Sequence, residues 1–200
     1  MVVVPGCPHH RFVLPKERPD GENERVAAAL SGQLIRAVRY FLLSVDDGPE
    51  LQAWDFGVWH QPTMGVELIM RSRDVFSAIW NQYEEWGFGV DLYAGPMAEH
   101  LVADAADHWV DVSGQAPWSS MTGPVEVGVI WNDYGTGRPP CPEAVTVASG
   151  ETVAWIVAAG WERQESGFAI QLGRDDLMVI RDRRFIEALG LFDPVRGRQS

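Results

Sequence analysis

Two stretches of this chain, "EEWGFGVDLY" at 84–93 and "QESGFAIQLG" at 164–173, read almost alike. The likeness extends backwards through two more blocks in the same order. "SGQLIRAVRY" (31–40) lies over "TGPVEVGVIW" (122–131), and "VELIMRSRDVFSAIW" (66–80) lies over "EAVTVASGETVAWIV" (143–157). Self-similarity in fixed order constrains a fold more than any single motif, because each like segment is expected to form a like supersecondary unit. The chain is therefore read as two copies of one unit.

Each block has β character. Leu34, Arg36, Val38 and Tyr40 alternate with Ile35, Ala37, Arg39 and Phe41, the period of a half-buried strand. The middle block predicts a hairpin. In the second copy Gly150-Glu151 sits at its tip, and a glycine at the first central position suits a type II′ turn. The first copy has Arg73-Asp74 there, which takes a positive φ less readily, so a different turn is expected. The third block places Phe88, Val90 and Leu92, and by the match Phe168, Ile170 and Leu172, on one face that should be buried. Helices are expected from Pro96 onward, from an Asp182 N-cap to Gly190, and more briefly before Gly32. The fold class is α+β, mainly antiparallel sheet, built from two strand–hairpin–strand(–helix) units related by a pseudo-twofold axis. The expected organisation is an irregular arm (1–20), a first β-rich repeat with its helix (21–103), a linker (104–121), a second repeat with a C-terminal helix (122–192) and a loose tail (193–200).

Composition narrows the function classes. With 46% hydrophobic residues, 200 residues can bury a full core. No apolar run approaches the roughly 18–20 residues of a membrane helix. The opening "MVVVPGCPHHRF" lacks a basic region and is broken by Pro5 and Pro8, a poor signal peptide. Only Cys7 and Cys141 are present, too few for a disulfide framework. The chain is read as cytoplasmic. A net charge of −12 argues against nucleic acid. It favours a basic protein partner instead. Lys16 is the sole lysine among 16 basic residues, a codon bias that suggests a GC-rich bacterial genome.

The copies differ most between first strand and hairpin. There the first copy inserts a long loop (41–65) containing "AWDFGVWHQPTMG". Loops of that length are uncommon without a role. Trp54, Asp55, Trp59 and His60, with Glu84, Glu85 and Trp86 from the same copy, form the candidate partner-binding set. Its members are expected to be partly exposed. The competing reading is that the indoles seal a core or sheet edge. Trp80, Trp131 and Trp155 fall in strands and are assigned to the core; Trp54, Trp59, Trp86 and Trp118 fall in loops. Asp55 and His60 could serve as an acid–base pair in a hydrolase-type enzyme, and the aromatic loops could hold a small molecule or glycan.

Other motifs carry less. "DFG" at 55–57 lacks the glycine-rich loop, strand lysine and H-R-D segment of protein kinases. Cys7, His9 and His10 are a weak zinc alternative without a second ligand cluster, and no metal or cofactor is expected. Cys141 lies between prolines without a neighbouring base, Ser119 and Ser120 lack a nucleophile elbow, and Asp46–Glu50 lacks the rest of a calcium loop.

In its small size, strong acidity, exposed aromatics and absence of a catalytic set, the chain resembles the immunity proteins that bacteria keep against toxins. That resemblance implies an inhibitory module, monomer or homodimer, that blocks a basic toxin site.

Overall fold

The computed structural model describes residues 20–44, 50–84, 87–101, 107–132, 141–164 and 167–188. Helix α1 (Glu22–Leu30) leads into strand β1 (Ile35–Phe41), followed by β2 (Trp59–His60), β3 (Gly65–Met70), β4 (Val75–Glu84) and β5 (Gly87–Ala94). Then come β6 (Trp109–Asp111), β7 (Glu126–Asn132), β8 (Cys141–Ser149), β9 (Thr152–Gln164), β10 (Gly167–Ile180) and α2 (Arg183–Ala188). The chain is mostly antiparallel sheet with few helices. One sheet has the order β5-β4-β3-β1-β6, the other β2-β10-β9-β8-β7. Each is a four-stranded meander with one short extra strand. These extra strands cross over: β2, from the long loop between β1 and β3, pairs with β10, while β6, from the expected linker, pairs with β1.

The sheets face each other across one apolar core. The first contributes Val38, Tyr40, Val66, Leu68, Met70, Phe76, Trp80, Val90 and Leu92; the second contributes Val145, Val147, Ile156, Leu177 and Val179. Helix α1 closes one side of this sandwich. It buries Val26, Ala27 and Leu30 in the core. It also satisfies edge-strand amides: Leu92 N donates to Asn23 Oδ1 (2.8 Å) and Val127 N to Ser31 Oγ (3.0 Å). Capping both edges blunts their capacity to recruit another strand. A Cβ on Gly89 of β5 would lie 2.7 Å from Cys141 Sγ and from the Pro142 carbonyl oxygen, so the close approach of β5 to the start of β8 requires glycine there.

The turns differ between halves as expected, although Arg73 takes the positive φ that its residue type disfavours. Gly150 has φ 60° in the two-residue turn between Ser149 and Thr152. Residues 71–74 make the wider turn of the first half, with Arg73 at φ 81°. The pairing corrects the matching of the middle block. Leu68 pairs with Phe76, and its counterpart Val145 pairs with Ile156. Phe76 therefore corresponds to Ile156, three residues beyond the Val153 that sequence likeness selects. An odd displacement exchanges the faces of a strand.

The same arithmetic overturns the expected burial of Phe168. In the first half a register shift between Gln82 and Glu84 sends Phe88 inward, where its ring meets Trp80 edge-on at 5.5 Å. The second half has no irregularity there and places its own between Leu172 and Leu177. Phe168 consequently lies on the outer face and is 53% exposed. Trp131, assigned to the core from its strand, sits on the edge strand β7 and is 40% exposed. Trp118, expected in an exposed loop, is buried in a single 3-10 turn (Trp118–Ser120).

The three expected helices fare unequally. Helix α1 forms before Gly32. At the start of α2, Asp182 Oδ1 accepts a hydrogen bond from Arg184 N (2.9 Å), the N-cap the sequence predicts. From Pro96 a 3-10 turn forms, Met97–Glu99, while residues 102–106 of that expected helix and Gly190 of the last one lie outside the described residues.

Candidate functional site

The inserted loop folds back on itself before it reaches β2. Asp55 Oδ1 accepts the Gly57 amide (2.8 Å), Gly57 takes φ 79°, and Phe56 N donates to Trp59 O (3.0 Å). The short aspartate side chain and the permissive glycine together make this reversal cheap. The return strand then pairs Trp59 with Ile180 and His60 with Val179. Neighbours in a strand point to opposite faces, so these two residues enter different environments.

His60 points inward. Its Nδ1 is 2.9 Å from the Tyr40 hydroxyl, which receives the Trp118 indole N–H at 2.6 Å. Because that indole can only donate, the Tyr40 oxygen accepts it and its own proton is free for His60 Nδ1. The remaining imidazole proton then lies on Nε2, facing Asp55 Oδ1 at 3.8 Å. Trp54 packs edge-on against both rings, 5.1 Å from His60 and 5.7 Å from Tyr40. Burial lowers the His60 pKa to about 4, against the attraction of Asp55 and with a smaller contribution from Arg181. Burial also raises the Tyr40 pKa far above that of a free tyrosine. A neutral, buried imidazole whose Nδ1 is committed to Tyr40 is built for structure, not for proton transfer to a substrate.

Trp59 points outward into a second apolar cluster on the outer face of the second sheet, with Trp155, Val157, Met178, Ile180 and Ile186. Around it lie four more rings: Phe56 stacked at 5.6 Å, Phe168 edge-on at 5.5 Å and Phe185 at 5.8 Å, with Trp161 touching both Phe56 (5.3 Å) and Phe168 (5.0 Å). This aromatic cluster surfaces at Phe168 and at Val58, which is 42% exposed. Its rim is acidic at Asp55 and Glu162, both more than half exposed; Glu162 faces Arg174 at 3.6 Å. Gln61 ties the rim together. Its carbonyl accepts the Trp161 indole N–H at 2.5 Å, and its amide donates to Asp176 Oδ2. Burial raises the Asp176 pKa to about 7, although bonds from Gln61 and the Leu177 amide favour the charged form.

The expected site residues are thus divided. Trp54 is half-buried and Asp55 exposed, as anticipated, whereas Trp59 and His60 are buried at 2% exposure instead of partly exposed. The reason is β2: a loop that becomes a strand of the opposite sheet commits both its faces to packing. Glu85, Trp86 and the Glu84 side chain lie outside the described residues, as do Cys7, His9 and His10. Among the described residues no group of three or more His, Cys, Asp or Glu side chains could hold a metal ion. No helix described is long and apolar enough to cross a membrane. Sequence reasoning missed Tyr40, Gln61, Trp161, Phe168, Asp176 and Arg181 as neighbours of the loop. Trp161 had a signal, since Trp155, Val157, Ala159 and Trp161 alternate along one face of β9.

Asp91, a fully buried carboxylate elsewhere in the fold, accepts hydrogen bonds from Asn23 (3.0 Å), Asn81 (2.8 Å) and the Tyr83 hydroxyl. It joins α1 to the first sheet, far in sequence from the inserted loop.

No protein-family model, curated protein or solved structure gives a significant match to this chain. The site geometry therefore stands as the ground for a functional reading.

Proposed function

We propose that this chain is an acidic protein-binding module of the bacterial cytoplasm, an inhibitor of immunity-protein type that blocks a basic site on a toxin. Its docking surface is the outer face of the second sheet, around Phe56, Val58, Trp161 and Phe168. One observation carries the reading: five aromatic rings are joined in one cluster that comes to the surface at Phe168, beside the exposed carboxylate of Asp55. A rigid aromatic surface supplies affinity once docked. The net charge of −12 steers a basic partner toward it. Trp59 and His60 belong to this surface as its foundation, holding the 54–61 hairpin in place. The hydrolase-type alternative would need an accessible imidazole, and His60 is 2% exposed.

We also infer that the two meanders descend from one duplicated unit. Supporting this, β1 and β7 cover matched residues, and β5 and β10 both begin at the Gly-Phe of the opening likeness. In both halves the strand order runs last, third, second, first. Duplication left one copy free to acquire the inserted loop, which now forms one end of the docking face.

The reading predicts that a basic toxic domain is encoded beside this gene, and the test uses that domain. Phe168→Asp, at an exposed position, should keep the fold and weaken binding by about 2 kcal/mol or more, roughly thirtyfold in Kd. Neutralisation that survives Phe168→Asp with unchanged affinity would overturn the assignment, as would failure of the parent chain to neutralise that domain.

A further inference from the structure

Beside the aromatic cluster lies an open cleft of about 350 Å3 that the protein-binding reading does not use. Three segments meet there: the Ala116–Pro117 turn with Ser120, the tip and first residues of β9 (Glu151, Thr152, Val153, Trp155), and Arg181 with Arg183 after β10. The volume falls within the range of small-ligand sites, which combine apolar walls with a few placed polar groups. Pro117, Val153 and Trp155 form such walls, and the Ser120 and Thr152 hydroxyls and two guanidinium groups supply polarity.

Arg181 is the distinctive member. Its guanidinium donates to the Gly57 carbonyl and, at 3.5 Å, to the Ala116 carbonyl, so it is clamped between the inserted hairpin and the linker turn. Two of its five N–H donors are used this way, and the others remain. Arg183 and Arg184 face Glu187 and Asp182, both at 2.8 Å, whereas Arg181 forms no ion pair among the described residues. In a chain with 28 acidic residues and 16 basic ones, an immobilised cation without a carboxylate is conspicuous.

We propose that this cleft binds a small organic acid, its carboxylate on Arg181 and its apolar body against Val153, Trp155 and Pro117. A guanidinium fork matches a carboxylate bidentately, and a clamped arginine loses little freedom on binding. Glu151 also lines the cleft, and its carboxylate disfavours anions of higher charge. The inference is independent of the docking surface, since Phe168 and Val58 do not line the cleft.

Benzoate, benzamide and inorganic phosphate serve as probes, with binding read by calorimetry and by the indole N–H resonances in NMR. Benzoate should bind at least about tenfold more tightly than benzamide, a difference of about 1.4 kcal/mol, and more tightly than phosphate. The Trp155 resonance should shift, and Arg181→Gln should abolish the preference for the acid. If Arg181→Gln does not fold, Ser120→Phe replaces it, filling the cleft from an exposed position with the same expected loss. Equal binding of benzoate and benzamide, no benzoate binding at about 10 mM, or undiminished binding in a folded Arg181→Gln or Ser120→Phe variant would each overturn the proposal.

Discussion

Replacing Trp59 by alanine is expected to lower the free energy of unfolding by about 3–5 kcal/mol, the usual cost of removing a buried large aromatic. Trp59 is 2% exposed and touches Phe56, Phe168 and Phe185, so the cavity would open beneath the whole aromatic cluster. Its indole N–H is buried without an acceptor, which offsets part of the loss, because truncation also removes that unmet donor. Phe168→Ala should behave differently. At 53% exposure it should change stability by less than about 1 kcal/mol. Urea unfolding of the two variants separates foundation from surface. Equal losses would mean that the cluster is an ordinary core that reaches solvent by accident, and an undestabilised Trp59→Ala would mean that β2 does not pack as described.

The second large effect concerns pH, where two groups act in opposite directions. His60, with a pKa near 4 in the fold against 6.5 when free, binds its proton more readily in the unfolded chain. Stability from this residue is complete above pH 6.5 and is lost as pH falls from 6.5 to 4. Asp176, with a pKa near 7 in the fold against 3.8, binds its proton more readily in the folded chain. Its contribution is complete below pH 3.8 and is lost as pH rises toward 7, with a slope reduced by solvent screening because the side chain is partly exposed. Between pH 4 and 6.5 the two slopes oppose each other. Asp176→Asn should therefore make stability rise more steeply with pH than in the parent. His60→Asn, whose amide oxygen can still accept the Tyr40 proton, should make it fall. Asp111 and Asp182, held below the usual aspartate range chiefly by hydrogen bonds from Ser113 and from Arg184, contribute equally to parent and variants. The difference from the parent is thus the readout. Variants whose pH profiles run parallel to the parent would remove both groups from this role.

The contrast between Phe88 and Phe168 marks what the sequence could convey and what it could not. Alternation identifies strands, and Gly150 and Gly57 fit the turns that form, because those are local properties of a few residues. Facing is not local. Phe88 and Phe168 occupy the same place after the same glycine, yet an irregularity next to Gln82 in one half and after Leu172 in the other places them on opposite faces. Nothing in a period-two pattern announces where a strand gains an extra residue. The inserted loop follows the same logic. Its Asx-type turn is legible from Asp55 and Gly57, but its pairing with β10, more than a hundred residues away, is a tertiary choice. That choice buries Trp59 and His60 and moves the exposed aromatic surface to Phe168, in the other half of the chain.

The docking-face assignment is tested most directly by amide hydrogen exchange on the chain bound to the basic toxic domain that the proposed function predicts as its partner. Protection gained on binding should concentrate at residues 55–58, 161–163 and 168–172, where the aromatic cluster meets solvent. Protection confined to α1 and β5, with these segments exchanging as in the free chain, would contradict it.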